Sequence, residues 1–389
     1  MKEIKDIIRS FEEAQKQGKQ TALATVVHVE GSSYRRPGAR MLINEEGELT
    51  GAISGGCLEG DALRKALLVM SQKKSMLVTY DTMDEDDAKL GIGLGCNGII
   101  QVLIEPINAA DPYHPVQLLK EVATRRQKAV LITIFSLENK KNAQPGTCLL
   151  LRENEQAKGN TSLLNEIVIK DGMQVLANGH SLFRNYISEN QSLTAFIELI
   201  EPAVSLVVIG AGNDVIPLVA MAGILGWETT VIDGRPNYAK KERFSPSCQV
   251  LVAKPEKVLE QIAVDQQTVF LLMTHNYNYD MAMLLQLLQK NVIYVGMLGP
   301  KKKLERMLNE WDEHEIHFTQ EQLASVHSPV GLDIGAETSE EIALSILSEI
   351  KAVLSGKQGL SLHSNTGTIH SRNDYVIEQV NIADKNQSS

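Results

Sequence analysis

The chain runs Val204-Ser-Leu-Val-Val-Ile-Gly-Ala-Gly-Asn-Asp-Val215 near its centre. The apolar run predicts a short buried strand over residues 204–209, and the glycines after it predict a tight turn into a helix that reaches Gly226. A second strand pattern, residues 228–232, ends on Asp233. This order of strand, glycine turn, helix, strand and acid is typical of the opening of a Rossmann-type domain.

Two features of this turn depart from the dinucleotide-binding pattern. Val215 stands at the position of the third glycine, and Asp214 places an acid at the helix N-terminus, where a pyrophosphate would lie. Asp233 has the position of the ribose-binding acid, although an aspartate at a strand end is also a common turn former. Gly210, Gly212 and Asp233 are therefore candidate cofactor-binding residues, while the departures argue against NAD(P).

The rest of the chain divides at Glu201-Pro202. After this point, strand patterns separated by helical or loop segments continue the sheet at residues 249–253, 268–273 and 292–295. Before it the patterns are mixed, with a helix near residues 115–125 and strands at residues 21–30, 129–135, 147–151 and 166–169.

We therefore predict an α/β protein. An N-terminal mixed α/β domain, residues 1–200, precedes a Rossmann-like domain with a doubly wound parallel sheet, residues 201–355. Residues 356–389 are polar and predict a C-terminal extension with one short strand near residues 375–380.

Two further candidates follow strand patterns in the C-terminal half. His275 comes directly after the strand at residues 268–273, at the carboxyl edge that carries function in such sheets. It is either a ligand or acid–base group, or a cap of the strand end. Asp333 lies between Gly331 and Gly335, ahead of a capping box that begins at Thr338, so its loop either faces a ligand or packs tightly.

The N-terminal half contains Gly51-Ala-Ile-Ser-Gly-Gly-Cys-Leu-Glu-Gly-Asp61. Small residues let a backbone approach a ligand closely, and the helical pattern that follows places Cys57 at or near a helix N-cap. A helix N-terminus favours a thiolate, whereas nearby acids oppose it. The candidate cofactor-binding residues of this segment are Gly55, Gly56, Cys57 and Glu59. The alternative is a tight turn from strand to helix.

A loop rich in arginine precedes this segment. It reads Gly31-Ser-Ser-Tyr-Arg-Arg-Pro-Gly-Ala-Arg40, and its guanidinium groups present planar forks of donors that suit a phosphate or another oxyanion. Arg35, Arg36 and Arg40 are therefore candidate binding residues. The alternative is a solvated turn whose arginines pair with surface acids.

A second cysteine lies in a similar setting. The segment Gly91-Ile-Gly-Leu-Gly-Cys-Asn-Gly98 leads into a strand pattern at residues 99–105. Cys57 and Cys96 are candidate metal ligands that would jointly hold a soft metal centre, or they would form a transient disulfide.

The composition is that of a soluble globular protein. Of 389 residues, 43% are hydrophobic and 22% charged, and the formal net charge of −10 argues against a nucleic-acid partner, which needs a basic face. The four cysteines form no Cys-x-x-Cys pair, so reduced thiols are expected. No apolar run is long enough to span a bilayer, and the N-terminus lacks the signal-peptide pattern, so we expect no membrane association and a cytoplasmic location.

Taken together, these motifs resemble the xanthine dehydrogenase accessory family, XdhC/CoxI. The segments that carry the resemblance are Gly31-Ser-Ser-Tyr-Arg-Arg-Pro-Gly-Ala-Arg-Met41, Gly55-Gly-Cys-Leu-Glu59, Gly93-Leu-Gly-Cys-Asn-Gly98, Val208-Ile-Gly-Ala-Gly212 and Pro329-Val-Gly-Leu-Asp-Ile-Gly-Ala-Glu337. Asn213 stands where the family usually has a histidine.

The resemblance implies a cofactor chaperone rather than an enzyme. Such a protein would bind the molybdenum cofactor in its molybdopterin form, support its sulfuration and deliver it to xanthine dehydrogenase or a related molybdenum hydroxylase of purine metabolism. It implies that the three arginines meet anionic groups and that Cys57 and Cys96 lie near molybdenum or carry sulfur. A cysteine desulfurase partner and a homodimer are further expectations.

Two other functions fit parts of the pattern. One is an NAD(P)-dependent oxidoreductase that uses Gly210, Gly212 and Asp233. The other is a thiol-based sulfur-transfer protein, in which Cys57 and Cys96 would be equally important.

Overall fold

The computed structural model of the protein describes residues 1–81, 98–160, 166–188, 191–364 and 376–381. Cys96, one of the two predicted metal ligands, lies outside these residues. The described chain forms two units: the first unit comprises residues 3–202 together with 376–381, and the second unit comprises residues 203–364. Within the described ranges, no helix is long and apolar enough to cross a membrane.

The first unit combines helices with two sheets. Its helices are α1 (Lys2–Lys16), α2 (Glu59–Gln72), α3 (Pro115–Thr124) and α4 (Glu166–Asn178). Its strands are β1 (Thr21–Gly31), β2 (Arg40–Asn44), β3 (Leu49–Gly51), β4 (Met76–Asp81), β5 (Gly98–Pro106), β6 (Ala129–Phe135), β7 (Gly146–Leu151), β8 (Lys158–Gly159), β9 (Leu182–Ser188), β10 (Gln191–Ile200) and, near the end of the chain, β17 (Ile377–Asn381).

The first sheet has the order β3-β2-β1-β5-β4, and all its pairs are antiparallel. Helix α2 covers one face because Ala62, Ala66 and Val69 recur with helical spacing and are fully buried. They pack against Ala22 and Ala24 of β1, whose small side chains let the helix approach closely. This packing fixes where α2 begins, and therefore where the glycine–cysteine segment before it lies.

The second sheet has the order β17-β9-β10-β6-β7-β8, and β17 pairs with β9 in the parallel direction. The strand predicted at residues 166–169 is wrong, because this segment begins helix α4. Its β-branched residues favour a strand locally. However, Val168, Gly172 and Val175 follow the helical period and face the sheet, where a Cβ at Gly172 would lie 2.3 Å from Leu151.

The second unit alternates strands and helices. Its strands are β11 (Ser205–Ile209), β12 (Glu228–Asp233), β13 (Gln249–Val252), β14 (Thr268–Leu272), β15 (Val295–Met297) and β16 (Val326–His327). Its α-helices are α5 (Val215–Ile224), α6 (Tyr277–Gln289), α7 (Lys301–Glu313), α8 (Gln320–Ala324) and α9 (Ser339–Leu354), and short 3-10 turns lie at Lys241–Arg243, Pro255–Lys257 and Leu362–Ser364.

The six strands of this unit are all parallel, in the order β13-β12-β11-β14-β15-β16. Numbered along the unit, this is the order 3-2-1-4-5-6 of a dinucleotide-binding fold. Leu206 and Val208 of β11 face α5 and α9, whereas Val207 and Ile209 face α6 and α7. Both faces are therefore covered, and the predicted fold class is confirmed.

Two local predictions in this unit have different outcomes. The capping box is confirmed, because the Thr338 hydroxyl accepts from the N–H of Glu341 and the Glu341 carboxylate accepts from the N–H of Thr338. The strand predicted at residues 292–295 is displaced to Val295–Met297. The apolar run begins in the connection before the strand, and pairing with β14 starts only where Val295 lies opposite Phe270.

Candidate functional site

The segment between β3 and α2 forms an open turn, which we call the Gly-Cys turn (residues 52–58). Ile53 and Leu58 are buried and hold its two ends in the core of the first sheet. Gly55 and Gly56 are exposed between them, and Cys57 is half-buried. Gly56 has a φ of +114°, and a Cβ built there would meet no atom within 4 Å. The turn therefore needs glycine for its backbone angle, and its outer side is open.

The hydroxyl of Ser54 organises this turn. Its oxygen accepts hydrogen bonds at 3.1 Å from the backbone N–H groups of Gly56, Cys57 and Leu58. The same oxygen accepts from the thiol of Cys57, also at 3.1 Å. The hydroxyl proton is donated to the carboxylate of Glu59. Because that proton is committed, the Ser54 oxygen faces Cys57 as an acceptor for its thiol.

Glu59 closes the turn from the inside. Its carboxylate accepts from the N–H groups of Ile53, Ser54 and Leu58 at 3.2, 2.8 and 3.1 Å. Burial favours the neutral acid, but the hydrogen bonds from Ser54 and the backbone outweigh this effect and lower the pKa of the Glu59 carboxyl. The structure therefore places this predicted cofactor-binding residue beneath Cys57, in a supporting position.

The arginine-rich loop, residues 31–39, lies beside the Gly-Cys turn. The ring of Tyr34 covers Gly55, where a Cβ would lie 3.5 Å from it, and the ring is 68% exposed. Glu3 of α1 links the two segments, because its carboxylate accepts from Arg35 at 2.9 and 2.6 Å and from the N–H of Ala52 at 3.1 Å. Two motifs that are separate in the sequence thus form one surface.

The three predicted arginines have different surroundings. Arg35 forms the ion pair with Glu3. Arg40 is buried, forms an ion pair with Glu198 and donates to the carbonyl of Gly38 at 2.8 Å, so it joins β2 to β10. Arg35 and Arg40 hold the loop in place through these ion pairs, and Arg36 is an exposed residue of the same loop.

The predicted partner segment of Cys57 is described only from Gly98 onward. Gly98 begins β5 opposite Gly31, and a Cβ there would lie 2.4 Å from the carbonyl oxygen of Ser32. The end of the second glycine-rich motif therefore contacts the arginine-rich loop. Among the described residues, no group of three or more histidine, cysteine or acidic side chains could hold a metal ion. Of the two predicted metal ligands, Cys57 lies within the described residues and Cys96 does not.

The glycine turn of the second unit contains Gly210 and Gly212, two of the predicted cofactor-binding residues. Gly210 has a φ of +119°, and a Cβ there would lie 2.3 Å from the carbonyl oxygen of Met273, so the ends of β11 and β14 touch. A Cβ at Gly212 would lie 2.2 Å from the carboxylate of Asp214. That carboxylate lies 3.1 Å from Nε2 of His275. An acid therefore lies across the turn, where a pyrophosphate would need positive charge.

Asp233 is fully occupied by protein donors. Its carboxylate accepts from the N–H of Ala211 at 2.9 Å and from the backbone and side chain of Arg235 at 2.8 to 2.9 Å. Burial raises its pKa, but these hydrogen bonds outweigh burial and lower the pKa of the Asp233 carboxyl. Both carboxylate oxygens are thus engaged at the place where a ribose diol would bind.

The remaining two predicted residues are exposed. His275 has a φ of +56° and a side chain that is 63% exposed, so it forms a strained strand end that faces solvent. Asp333 is exposed in a loop that is anchored by the N–H of Gly331 on Glu349, at 2.9 Å, and by the hydroxyl of Ser345 on Leu332.

Several site residues were not predicted from the sequence. Ser54 lies in the Gly-Cys turn and Tyr34 in the arginine-rich loop. A serine or tyrosine in a turn has many possible roles, so the sequence does not indicate these contacts. Ser54 contacts Cys57 only because the turn folds back on itself, and Tyr34 contacts Gly55 only because the two segments fold against each other. Glu3 lies far from both motifs. Arg235 pairs with Asp233, and its position two residues after the strand-end acid was the signal in the sequence for this pair.

Family models match both units. A model described as the XdhC and CoxI family matches residues 14–81, and a model described as the XdhC Rossmann domain matches residues 206–350. The first match contains the arginine-rich loop and the Gly-Cys turn, and the second contains the glycine turn.

Individual proteins are similar over most of the chain. A protein of Bacillus subtilis (strain 168), described as a probable xanthine dehydrogenase subunit, is 33% identical over 85% of this chain and 92% of its own length. "Molybdenum cofactor insertion chaperone PaoD" of Escherichia coli (strain K12) is 23% identical over 89% of this chain and 87% of its own length.

A solved structure shares this architecture. A crystal structure described as a xanthine dehydrogenase from Bacillus halodurans is 31% identical, with a TM-score of 0.73, and the alignment covers 92% of this chain and 99% of that one. Identity at this level over nearly the full length of both chains confirms the resemblance seen in the motifs. The chain belongs to the XdhC and CoxI family.

Proposed function

We propose that this protein is an accessory protein that binds the molybdenum cofactor at the Gly-Cys turn and supports its insertion into xanthine dehydrogenase or a related molybdenum hydroxylase. The observation that carries this proposal is the half-buried thiol of Cys57 beside two exposed glycines. A carrier needs a ligand that can be reached and released, and a thiol at an open turn meets both needs.

The residues at this surface fit the chemistry of the cofactor. The thiol of Cys57 is a soft ligand of the kind that suits molybdenum, and the open side of Gly56 leaves room for a bulky group. Tyr34 offers an exposed aromatic ring next to Gly55, along which a flat pterin would lie. The guanidinium of Arg36 would meet the phosphate. When bound, the cofactor supplies the redox-active metal centre, and this chain holds and protects it.

The comparisons support the proposal in part. The name of the Escherichia coli relative describes a molybdenum cofactor insertion chaperone, and this chain aligns with 87% of that protein. We further propose that the bound cofactor is the form that undergoes sulfuration, with a cysteine desulfurase as the sulfur donor, and that the protein acts in the cytoplasm as a homodimer. The role of Cys96 as a second ligand is part of the same proposal.

The test is purification of the protein from cells that make the cofactor, with molybdenum and pterin measured per chain. We expect both to co-purify with the wild-type protein and to be lost from the Cys57→Ser variant. A matched control is Cys148→Ala, because Cys148 is a buried cysteine of the second sheet, away from the turn. Addition of the loaded protein to cofactor-free xanthine dehydrogenase should restore its activity. Absence of molybdenum and pterin, with the apoenzyme unaffected, would contradict the proposal.

An NAD(P)-dependent oxidoreductase is less well supported. Asp214 carries negative charge across the glycine turn, and Asp233 is closed by Ala211 and Arg235. Titration with NAD and NADP tests this alternative, since saturable binding that disappears in Asp233→Ala would restore it.

A further inference from the structure

Two arginines and a tyrosine form a cationic surface at the carboxyl end of β12, next to the glycine turn. Tyr238 is 44% exposed. The guanidinium carbon of Arg235 lies 4.0 Å from the centre of its ring, and that of Arg243 lies 5.9 Å from it. Cation–π contact therefore holds both guanidinium groups against one aromatic side chain.

Arg235 is held in a fixed orientation. Its Nε and Nη2 donate to the two oxygens of Asp233 at 2.9 and 2.8 Å, while its side chain remains 50% exposed. A guanidinium has five N–H donors, so this pairing leaves the Nη1 edge for another acceptor. Because Asp233 and Tyr238 fix the group, a ligand would not have to order a mobile side chain.

Arg243 is fixed by neutral acceptors. Its Nη1 donates to the carbonyl oxygens of Ala211 and Tyr238, both at 2.6 Å, and its Nη2 donates to the side-chain oxygen of Asn213 at 2.8 Å. None of the carboxylates in the described parts of the chain forms an ion pair with Arg243. Its positive charge is therefore not neutralised by an acid of those parts, although it lies against the glycine turn.

The ribose diol that the strand-end acid usually binds does not fit here. In a dinucleotide-binding fold the strand-end acid accepts the hydroxyls of a ribose, whereas an arginine nearby accommodates a phosphate. Here the carboxylate of Asp233 is saturated, and the group that faces outward is the guanidinium of Arg235. The surface is thus complementary to an anion and not to a diol.

We infer that Arg235, Tyr238 and Arg243 form a binding site for a phosphomonoester, whose oxygens accept from both guanidinium groups. The Nη1 edge of Arg235 and the two N–H groups of Arg243 that its three acceptors leave unused are donors that suit phosphate oxygens, and the charge of Arg243 attracts an anion. This site lies in the second unit, and the inference does not depend on the function proposed for the Gly-Cys turn. The phosphate belongs either to a nucleotide or to a phosphorylated pterin, since both carry the same group.

The test is a calorimetric titration of the full-length protein in phosphate-free buffer. The probes are adenosine monophosphate, a pterin phosphate, their unphosphorylated parents and inorganic phosphate. We expect at least one phosphorylated probe to bind about tenfold or more tightly than its parent, and inorganic phosphate to compete with it. The probe that binds more tightly identifies the source of the phosphate. Equal binding of phosphorylated and parent compounds, or no binding at millimolar concentration, would overturn the inference.

Substitutions locate the site. Arg235→Met and Arg243→Met should each weaken the phosphorylated probe about tenfold or more. The matched control is Arg306→Met, because Arg306 also lies over a tyrosine, 4.4 Å from the ring centre of Tyr277, but is exposed on α7. Binding that survives both Arg235→Met and Arg243→Met, or that is lost equally in Arg306→Met, would contradict the assignment.

A measurement on the wild-type protein covers the case in which those variants do not fold. Phenylglyoxal modifies accessible arginines, and the modified positions can be found by peptide mass spectrometry. The phosphorylated probe should slow modification of Arg235 and Arg243 and leave Arg306 unchanged. Modification at the same rate with and without the probe would overturn the site.

Discussion

The thiol of Cys57 donates a hydrogen bond to the hydroxyl oxygen of Ser54 across 3.1 Å. Ser54 donates its own proton to Glu59, which is held by the backbone of the same turn. The half-exposed thiol is therefore positioned by a hydroxyl and a carboxylate beneath it.

The first prediction concerns Ser54→Ala. This change removes the acceptor of three backbone N–H groups and of the Cys57 thiol, so we expect the first unit to lose about 1–3 kcal/mol of stability. Alkylation of Cys57 by iodoacetamide should become faster, because the thiol is no longer held. Ser33→Ala is the control, since its hydroxyl donates to the carbonyl of Arg35 in the neighbouring loop. Equal alkylation rates in the wild type and Ser54→Ala would show that the contact does not position the thiol.

The second prediction compares two glycines four residues apart. Gly56 has a φ of +114°, so Gly56→Ala should cost about 1–3 kcal/mol even though no atom lies within 4 Å of the added Cβ. Gly60 lies in α2 and is also open, so Gly60→Ala should be neutral or stabilise by up to about 1 kcal/mol. Thermal unfolding of the two variants measures the difference. A Gly56→Ala protein as stable as Gly60→Ala would refute the backbone argument.

The third prediction is that Glu105 makes the stability of the protein depend on pH. Burial raises the pKa of Glu105 to about 7, although hydrogen bonds from Thr147 and the charge of Arg40 oppose the rise. An unfolded glutamate has a pKa near about 4.3. Between these two values the folded state binds more protons than the unfolded state, so the contribution of Glu105 to stability is lost as pH rises through this window. The loss is at most about 4 kcal/mol.

Glu105→Gln should remove this pH dependence. The amide oxygen of glutamine accepts from the N–H of Thr147 as the carboxylate does, at 2.7 Å in the wild type, and it carries no charge. The stability of the variant relative to the wild type should therefore increase from pH 5 to pH 8, measured by urea unfolding. Parallel stability curves for the two proteins would contradict the raised pKa.

The fourth prediction separates cofactor carriage from sulfur transfer through two thiols. If Cys57 is the principal ligand, Cys57→Ser should reduce co-purified molybdenum about tenfold or more, and Cys96→Ser should reduce it less. Molybdenum measured per folded chain gives the comparison. Equal loss in the two variants would instead favour the sulfur-transfer alternative.

The sequence predicts the secondary structure of the second unit more accurately than that of the first unit. The second unit was predicted well, because its first strand, β11, ends in a glycine with a specific backbone requirement, Gly210. The first four residues of the helix Glu166–Asn178 were predicted as a strand, because three β-branched residues there express a local preference that packing of Gly172 against Leu151 overrides.

The candidate sites show the same division. The sequence alone singled out the Gly-Cys turn and the arginine-rich loop as candidate sites, and the motifs that they contain indicated the family. Only the tertiary structure decided which partner each of these side chains contacts. Glu3 and Glu198 come from distant segments and pair with Arg35 and Arg40, while Asp233 is closed by Arg235. Charge pairs of this kind depend on distance in space, and a pattern along the chain does not contain that distance.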